Sequence, residues 1–393
     1  MSDLHRVAAA CNRFAFRVYA EAAKSAAGNF VMGTSSVASA VAAAWPAAGG
    51  RTAAEIDKAL GGIGEKTFLP TLRRLSTAPR PEGVDLRLHT RLWCDERTRF
   101  REEFLDYSLA VLGASAERLR FADAADAAER MNAAVAVDTM GRITDLVSPM
   151  LLDPDSRLVI TNAASLDAAW SSPFEDRDTT DRPFRLASGR SIPVPMMTQR
   201  SHFRVAEERG YRSLAMEYGH LGLMEAGVEG AVEPVGLEML ILLPDRPERF
   251  DRVEKQLLRG EFDGQLGAGE TQDVVLSLPR FDFASDASLS HPLRKSGLKT
   301  FLDPERSDFT GATDDPDGLA VSECLHKARI RVDESGTEAA AATAIVMFAA
   351  GAAAPPPPPV EFTVDRPFQF LIREPETGLV HFLGRVTDPT AGG

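Results

Sequence analysis

The chain has 393 residues, 44% of them hydrophobic and 26% charged, a composition that excludes a disordered polymer and indicates a folded globular protein. No uninterrupted apolar run is long enough to cross a bilayer, and the 44 Lys and Arg are outnumbered by 57 Asp and Glu, for a net charge of -13. That balance repels phosphate backbones and argues against a nucleic-acid or anionic-membrane partner.

In chain order, residues 4 to 26 carry Val7, Cys11, Phe14, Val18 and Tyr19 at helical spacing, which predicts an N-terminal helix. Charges interrupt every candidate apolar stretch in the first twenty residues, so the chain as given reads as cytoplasmic, or as extracellular if a signal was removed. Two further short helices are expected at 35 to 45 and 52 to 60, the latter with Thr52 as its N-cap ahead of Glu55. Amphipathic segments follow at 102 to 112 and 125 to 148, the second ending near Thr139, Met140 and Gly141. The period then changes. Residues 157 to 166, 237 to 243 and 273 to 281 are apolar, β-rich runs of strand length. Three more strands are expected at 326 to 332, where Ala328, Ile330 and Val332 alternate with charge, and at 368 to 372 and 381 to 386. Helices first and strands later, without a βαβ rhythm, indicate an α+β architecture. No Pro/Gly/Ser-rich linker occurs before residue 350, so residues 1 to 393 are expected to form a single domain.

One segment resists this reading. From Glu334 to Phe362 runs a stretch of mostly small residues that ends in five prolines, Pro355 to Pro359. The prolines impose an extended rod of about 15 Å and cannot join a central sheet, so the segment is expected to project from the body.

Conventional catalytic chemistry has no anchor. There is no G-x-S-x-G elbow and no H-E-x-x-H pattern among the seven histidines. Gly61, Gly62 and Gly64 read as a loop after a helix, and Asp314, Asp315, Asp317 and Gly318 as a solvated turn, since Pro316 breaks a calcium-loop pattern. Cys11, Cys94 and Cys324 are odd in number and fit no metal-ligand spacing, so neither a disulfide framework nor a cofactor or metal is expected. His326 opens an alternating strand and is expected to be a hydrogen-bonded core residue.

HKARIRVDESGTEAAAAT, from His326 to Thr343, closely resembles the strand and hinge that precede the reactive-centre loop of serpins. NFVMGTSSVASA from Asn29, ITNAASLDAAWSSPF from Ile160, LEMLILLP from Leu237, LPRF from Leu278, SDFTG from Ser307 and DRPFQFLI near the end follow in the order of that family. The resemblance covers nearly everything from Asn12 to Pro389. It departs at Gly33 and Thr34, where the family usually has Ser-Pro, and at Ser165 to Ala168, where an aromatic and Lys-Gly are usual. The loop is also longer by its proline run.

The resemblance implies a serpin fold of three β-sheets and eight or nine helices, and a protein that is not an enzyme. It implies a monomeric suicide substrate, able to polymerise by loop insertion, that traps a target serine protease in a covalent complex once the cut loop enters the central sheet as a new strand. Glu334, Gly336, Thr337, Glu338, Ala339, Ala340, Ala341, Ala342 and Thr343 would form the hinge. With Thr337 facing inward, Ala339, Ala341 and Thr343 share its buried face, and no charge on that face opposes insertion. A dozen ladder hydrogen bonds plus apolar burial would release on the order of 10 kcal/mol. Glu334 would pair with Arg280 at the top of the sheet, and Ser36, Asn162 and His326 would form a polar cluster beneath the strands that part. By family spacing from Glu334 the scissile bond would be Ala350–Gly351, whose small residues suit an elastase-like or subtilisin-like protease, with Met347 and Phe348 the alternative sites for a chymotrypsin-like enzyme. The alternative is a non-inhibitory member acting as a binding or chaperone-like protein.

Overall fold

Ser2 caps the first helix by accepting a hydrogen bond from the His5 amide, and α1 (Asp3–Ala22) buries Val7, Cys11, Phe14, Val18 and Tyr19 along one stripe. The computed structural model describes residues 2–219, 234–261, 266–315, 318–337 and 358–392. Strand β1 (Phe30–Gly33) leads directly into α2 (Thr34–Ala43), a helix with almost every residue buried. The next helix, α3 (Gly50–Ala59), differs from expectation at its start. Its N-cap is Gly49, not Thr52; the Thr52 hydroxyl is instead engaged by the Asp308 amide at 2.9 Å and by Thr300 at 3.1 Å. A Cβ at Gly49 would lie 2.6 Å from the Asp308 carboxylate, so a larger residue there would have to push that side chain aside.

The chain continues through α4 (Glu65–Ser76), β2 (Val84–Asp95), α5 (Glu102–Leu112), β3 (Ser115–Leu119), α6 (Ala124–Asp138) and β4 (Leu158–Ala169). There follow β5 (Thr180–Arg185), β6 (Ser191–Glu208), β7 (Tyr211–Tyr218), β8 (Leu237–Pro244), α7 (Phe250–Leu258), β9 (Glu270–Pro279), β10 (Phe281–Ser288) and α8 (Ser290–Lys295). Last come β11 (Val321–Val332), β12 (Gly336–Thr337), β13 (Val360–Thr363), β14 (Phe368–Arg373) and β15 (Val380–Val386).

The strands form two hydrogen-bonded systems. One has six strands in the order β10-β11-β12-β4-β2-β3; the other runs β1-β15-β14-β8-β7-β6-β9-β13, with β5 also on β6. The three sheets expected of the fold connect into two because β6 is 18 residues long: it pairs with β5 at its start, β9 through its middle and β7 at its end. On the outer face of the six-stranded sheet, α6 and the segment after it pack Met131, Val135, Ile143 and Leu146 against Trp93, Val159, Ala163 and Leu325. On the inner face lie α1, α2 and the nine-stranded sheet. Coverage on both faces explains why β4 is buried almost throughout and reads in sequence as a continuous apolar run.

Candidate functional site

Among the described residues, those singled out by the sequence converge on one line, the seam between β4 and β11. Along its lower part the two strands pair directly and in parallel, from Leu158 opposite Val321 to Ala164 opposite Ala328. Along its upper part they diverge, and the two residues of β12 lie between them, antiparallel to both: Thr337 opposite Val332 on one side and Ala168 on the other, Gly336 opposite Ala169. Two parts of the projecting segment are therefore not projections. Gly336 and Thr337 belong to the six-stranded sheet, and Val360–Thr363 forms β13 in the other sheet, because both find unpaired strand edges to bond.

Gly336 permits this arrangement. Its φ is 157°, and a Cβ there would lie 2.1 Å from the Ala168 carbonyl oxygen, which excludes every other residue. Thr337 is fully buried, its hydroxyl 2.7 Å from that of Tyr218. The Tyr218 ring stacks on Trp170 at 4.4 Å, and Trp170 donates through Nε1 to the Asp333 carbonyl at 3.0 Å and through its amide to the Ser335 carbonyl at 2.9 Å. The turn into the hinge is thus pinned to the end of β4.

Glu334 sits just before that turn. Arg280, at the junction of β9 and β10, reaches it with Nε 2.7 Å from both carboxylate oxygens, and Thr179 donates its hydroxyl to the same group. The Glu334 side chain is only 7% exposed, whereas Arg280 is 42% exposed. Burial pushes the carboxyl pKa up, but the hydrogen bonds from Arg280 and Thr179 outweigh it and hold Glu334 below the usual carboxylate range.

Lower in the seam is a neutral cluster. The Gly33 amide donates to His326 Nε2 at 3.0 Å, which fixes the proton on Nδ1, and Nδ1 donates to Asn162 Oδ1 at 2.8 Å. Asn162 Nδ2 donates to the Ser36 carbonyl at 3.0 Å and the Thr90 hydroxyl at 2.9 Å. Burial pushes the His326 pKa down to about 4. Ser36 enters the cluster through its backbone; its hydroxyl has no hydrogen-bond partner among the described residues. The glycine that replaces the family's usual serine is explained by space: a Cβ on Gly33 would lie 2.5 Å from the Ala164 methyl.

Glu338, Ala339, Ala340, Ala341, Ala342, Thr343, Met347, Phe348, Ala350 and Gly351 lie outside the described residues. Sequence reasoning missed Thr90, Thr179 and Tyr218. Thr90 alone left a signal, the alternation of Leu86, Leu88, Leu92 and Cys94 around it; Thr179 and Tyr218 reach their partners across 155 and 119 residues, with no local pattern.

A family model described as "Serpin (serine protease inhibitor)" matches residues 9–389. The chain belongs to the serpin family. It is 34% identical over 389 residues to an uncharacterized serpin-like protein of Thermococcus kodakarensis, covering 98% of this chain and 86% of that one. It is 30% identical to leukocyte elastase inhibitor A of Mus musculus, over 93% and 94% of the two chains. Among solved structures, that of Serpin48 from the insect Tenebrio molitor superposes with a TM-score of 0.84 at 28% identity, covering 97% of this chain and 98% of that one. Membership brings a function of the protease-inhibitor type, exerted on target proteases, and accords with the chain not being an enzyme.

Proposed function

We propose that this serpin inhibits elastase-like or subtilisin-like serine proteases as a suicide substrate. The protease serine attacks the Ala350 carbonyl, the amide bond to Gly351 breaks, and the Gly351 amine leaves with a proton while Ala350 remains as an acyl ester on the protease. The freed loop then enters the seam behind Gly336 and Thr337 and carries the acylated protease with it before water can cleave the ester.

The observation that carries this reading is the seam itself. A strand position is begun at the top by β12 and closed below by direct β4–β11 pairing. Continuing β12 downward exchanges one parallel ladder for two antiparallel ones and gains on the order of 10 kcal/mol from hydrogen bonds and burial, enough to make insertion one-way. Glu334 with Arg280 at the top, and His326 with Asn162 below, would be the contacts that resist opening until the loop is cut.

Mixing the protein with pancreatic elastase, and separately with subtilisin, and boiling the products on a denaturing gel tests the reading. A band at the summed mass is expected, with a released peptide beginning at Gly351. If every enzyme yields only clipped chain and active protease, the chain is a passive, non-inhibitory member instead.

A further inference from the structure

The far end of the loop is held differently from the hinge. β13 is four residues long and among the described residues pairs on one side only, parallel to β9 from Val360 opposite Val274 to Thr363 opposite Ser277. An edge ladder this short is the kind of element that opens locally. A side chain from another strand is added to it. Arg212, near the start of β7, donates through Nη1 to the Glu361 carbonyl at 2.9 Å, and its guanidinium lies 5.0 Å from the centroid of the buried Phe362 ring. Glu207, opposite Arg212 on β6, has a carboxylate oxygen 3.2 Å from Arg212 Nε.

Insertion of an intact loop would have a geometric cost that insertion of a cut loop avoids. The hinge is in the six-stranded sheet and β13 is in the other, so while the loop is whole a strand that fills the seam draws residues away from the β13 end. Full insertion without cleavage therefore pulls on the pairing of β13 with β9. We infer that Arg212 is a positioning residue that holds this anchor, clamping β13 through the Glu361 carbonyl and the Phe362 ring so that insertion waits for the protease. The inference rests on the loop-insertion reading above.

The test compares wild type with Arg212→Ala, Arg212→Lys and Phe362→Leu, the last keeping the apolar packing while removing the ring face. Each is incubated without protease and sampled for intact mass, monomer content and midpoint of thermal unfolding. Loss of one cation–π contact and one hydrogen bond should make Arg212→Ala convert about tenfold faster to an uncut, monomeric and more heat-resistant form. Arg212→Lys and Phe362→Leu should fall between it and wild type. Conversion of Arg212→Ala at the wild-type rate, or plain unfolding and aggregation with no heat-resistant species, overturns the inference. Because this readout needs no protease, failure of the wild type to trap elastase or subtilisin would sink the inhibitor reading and leave the anchor test to stand or fall separately.

Discussion

The two halves of the β4–β11 seam are held by different physics. At the top the contact is ionic and half open to water, Arg280 being 42% exposed against an enclosed Glu334. Below, the contacts are neutral hydrogen bonds among His326, Asn162, Gly33 and Thr90, all out of reach of solvent. Salt acts on the first kind and hardly on the second, whereas protons act on the second because a buried imidazole must stay neutral. A seam built this way is sensitive to ionic strength at its top and to acidity below.

The largest effect expected is at the junction of the halves. Thr337→Arg places a cation in a fully buried position against Tyr218, a site that desolvates it without a partner. The loop should still be cut, but the ratio of covalent complex to clipped chain should fall about tenfold or more, read from gel band intensities. An undiminished complex band would show that loop insertion tolerates a charge at this position.

Acidity comes next. His326 titrates near 6.5 when unfolded and at about 4 when folded, so its neutral form stabilises the fold fully above about pH 6.5. That contribution drains as the pH falls toward 4, by roughly 3 kcal/mol in all. Unfolding midpoints measured from pH 7 to pH 4 should slope accordingly, and His326→Gln should flatten the curve. Some slope should persist from His381, whose pKa burial also lowers. An unchanged profile in the variant would remove His326 from the account.

Gly33→Ser, which restores the family's usual residue, should destabilise this chain by about 2 kcal/mol through overpacking against Ala164. Ala164→Gly in the same chain should recover part of that loss, as denaturant midpoints would show. The smallest effect belongs to the upper half: Glu334→Gln should cost about 1 kcal/mol, as expected for a partly exposed pair. The more telling sign is that any salt dependence of spontaneous polymerisation seen in wild type should vanish in this variant.

How much of this was legible in the sequence depended on the reach of each interaction. β8, β11, β14 and β15 announced themselves because burial makes an apolar or alternating run that needs no partner to be recognised. β6 was hidden by Pro193 and Pro195 and by its change of partner partway along. β2 was hidden because Arg87, His89 and Arg91 break its apolar run, although its period is that of a strand. β12 could not be read locally, since two residues become a strand only through Val332, Ala168 and Ala169. At the seam, Arg280 and Glu334 were placed by family resemblance, as were Asn162 and His326. The reason for Gly33, by contrast, is a distance between methyl-sized groups that no sequence pattern encodes.

Cys324 stands opposite Ile160 on the seam, fully buried, with burial pushing its thiol pKa upward. A thiol in that condition is inert to alkylation, because the reactive thiolate scarcely forms. It would become reactive only when local opening exposes it. The protein thus carries its own stopwatch: the rate at which a small alkylating reagent marks Cys324 would report how often its surroundings on the seam open, with no engineered label.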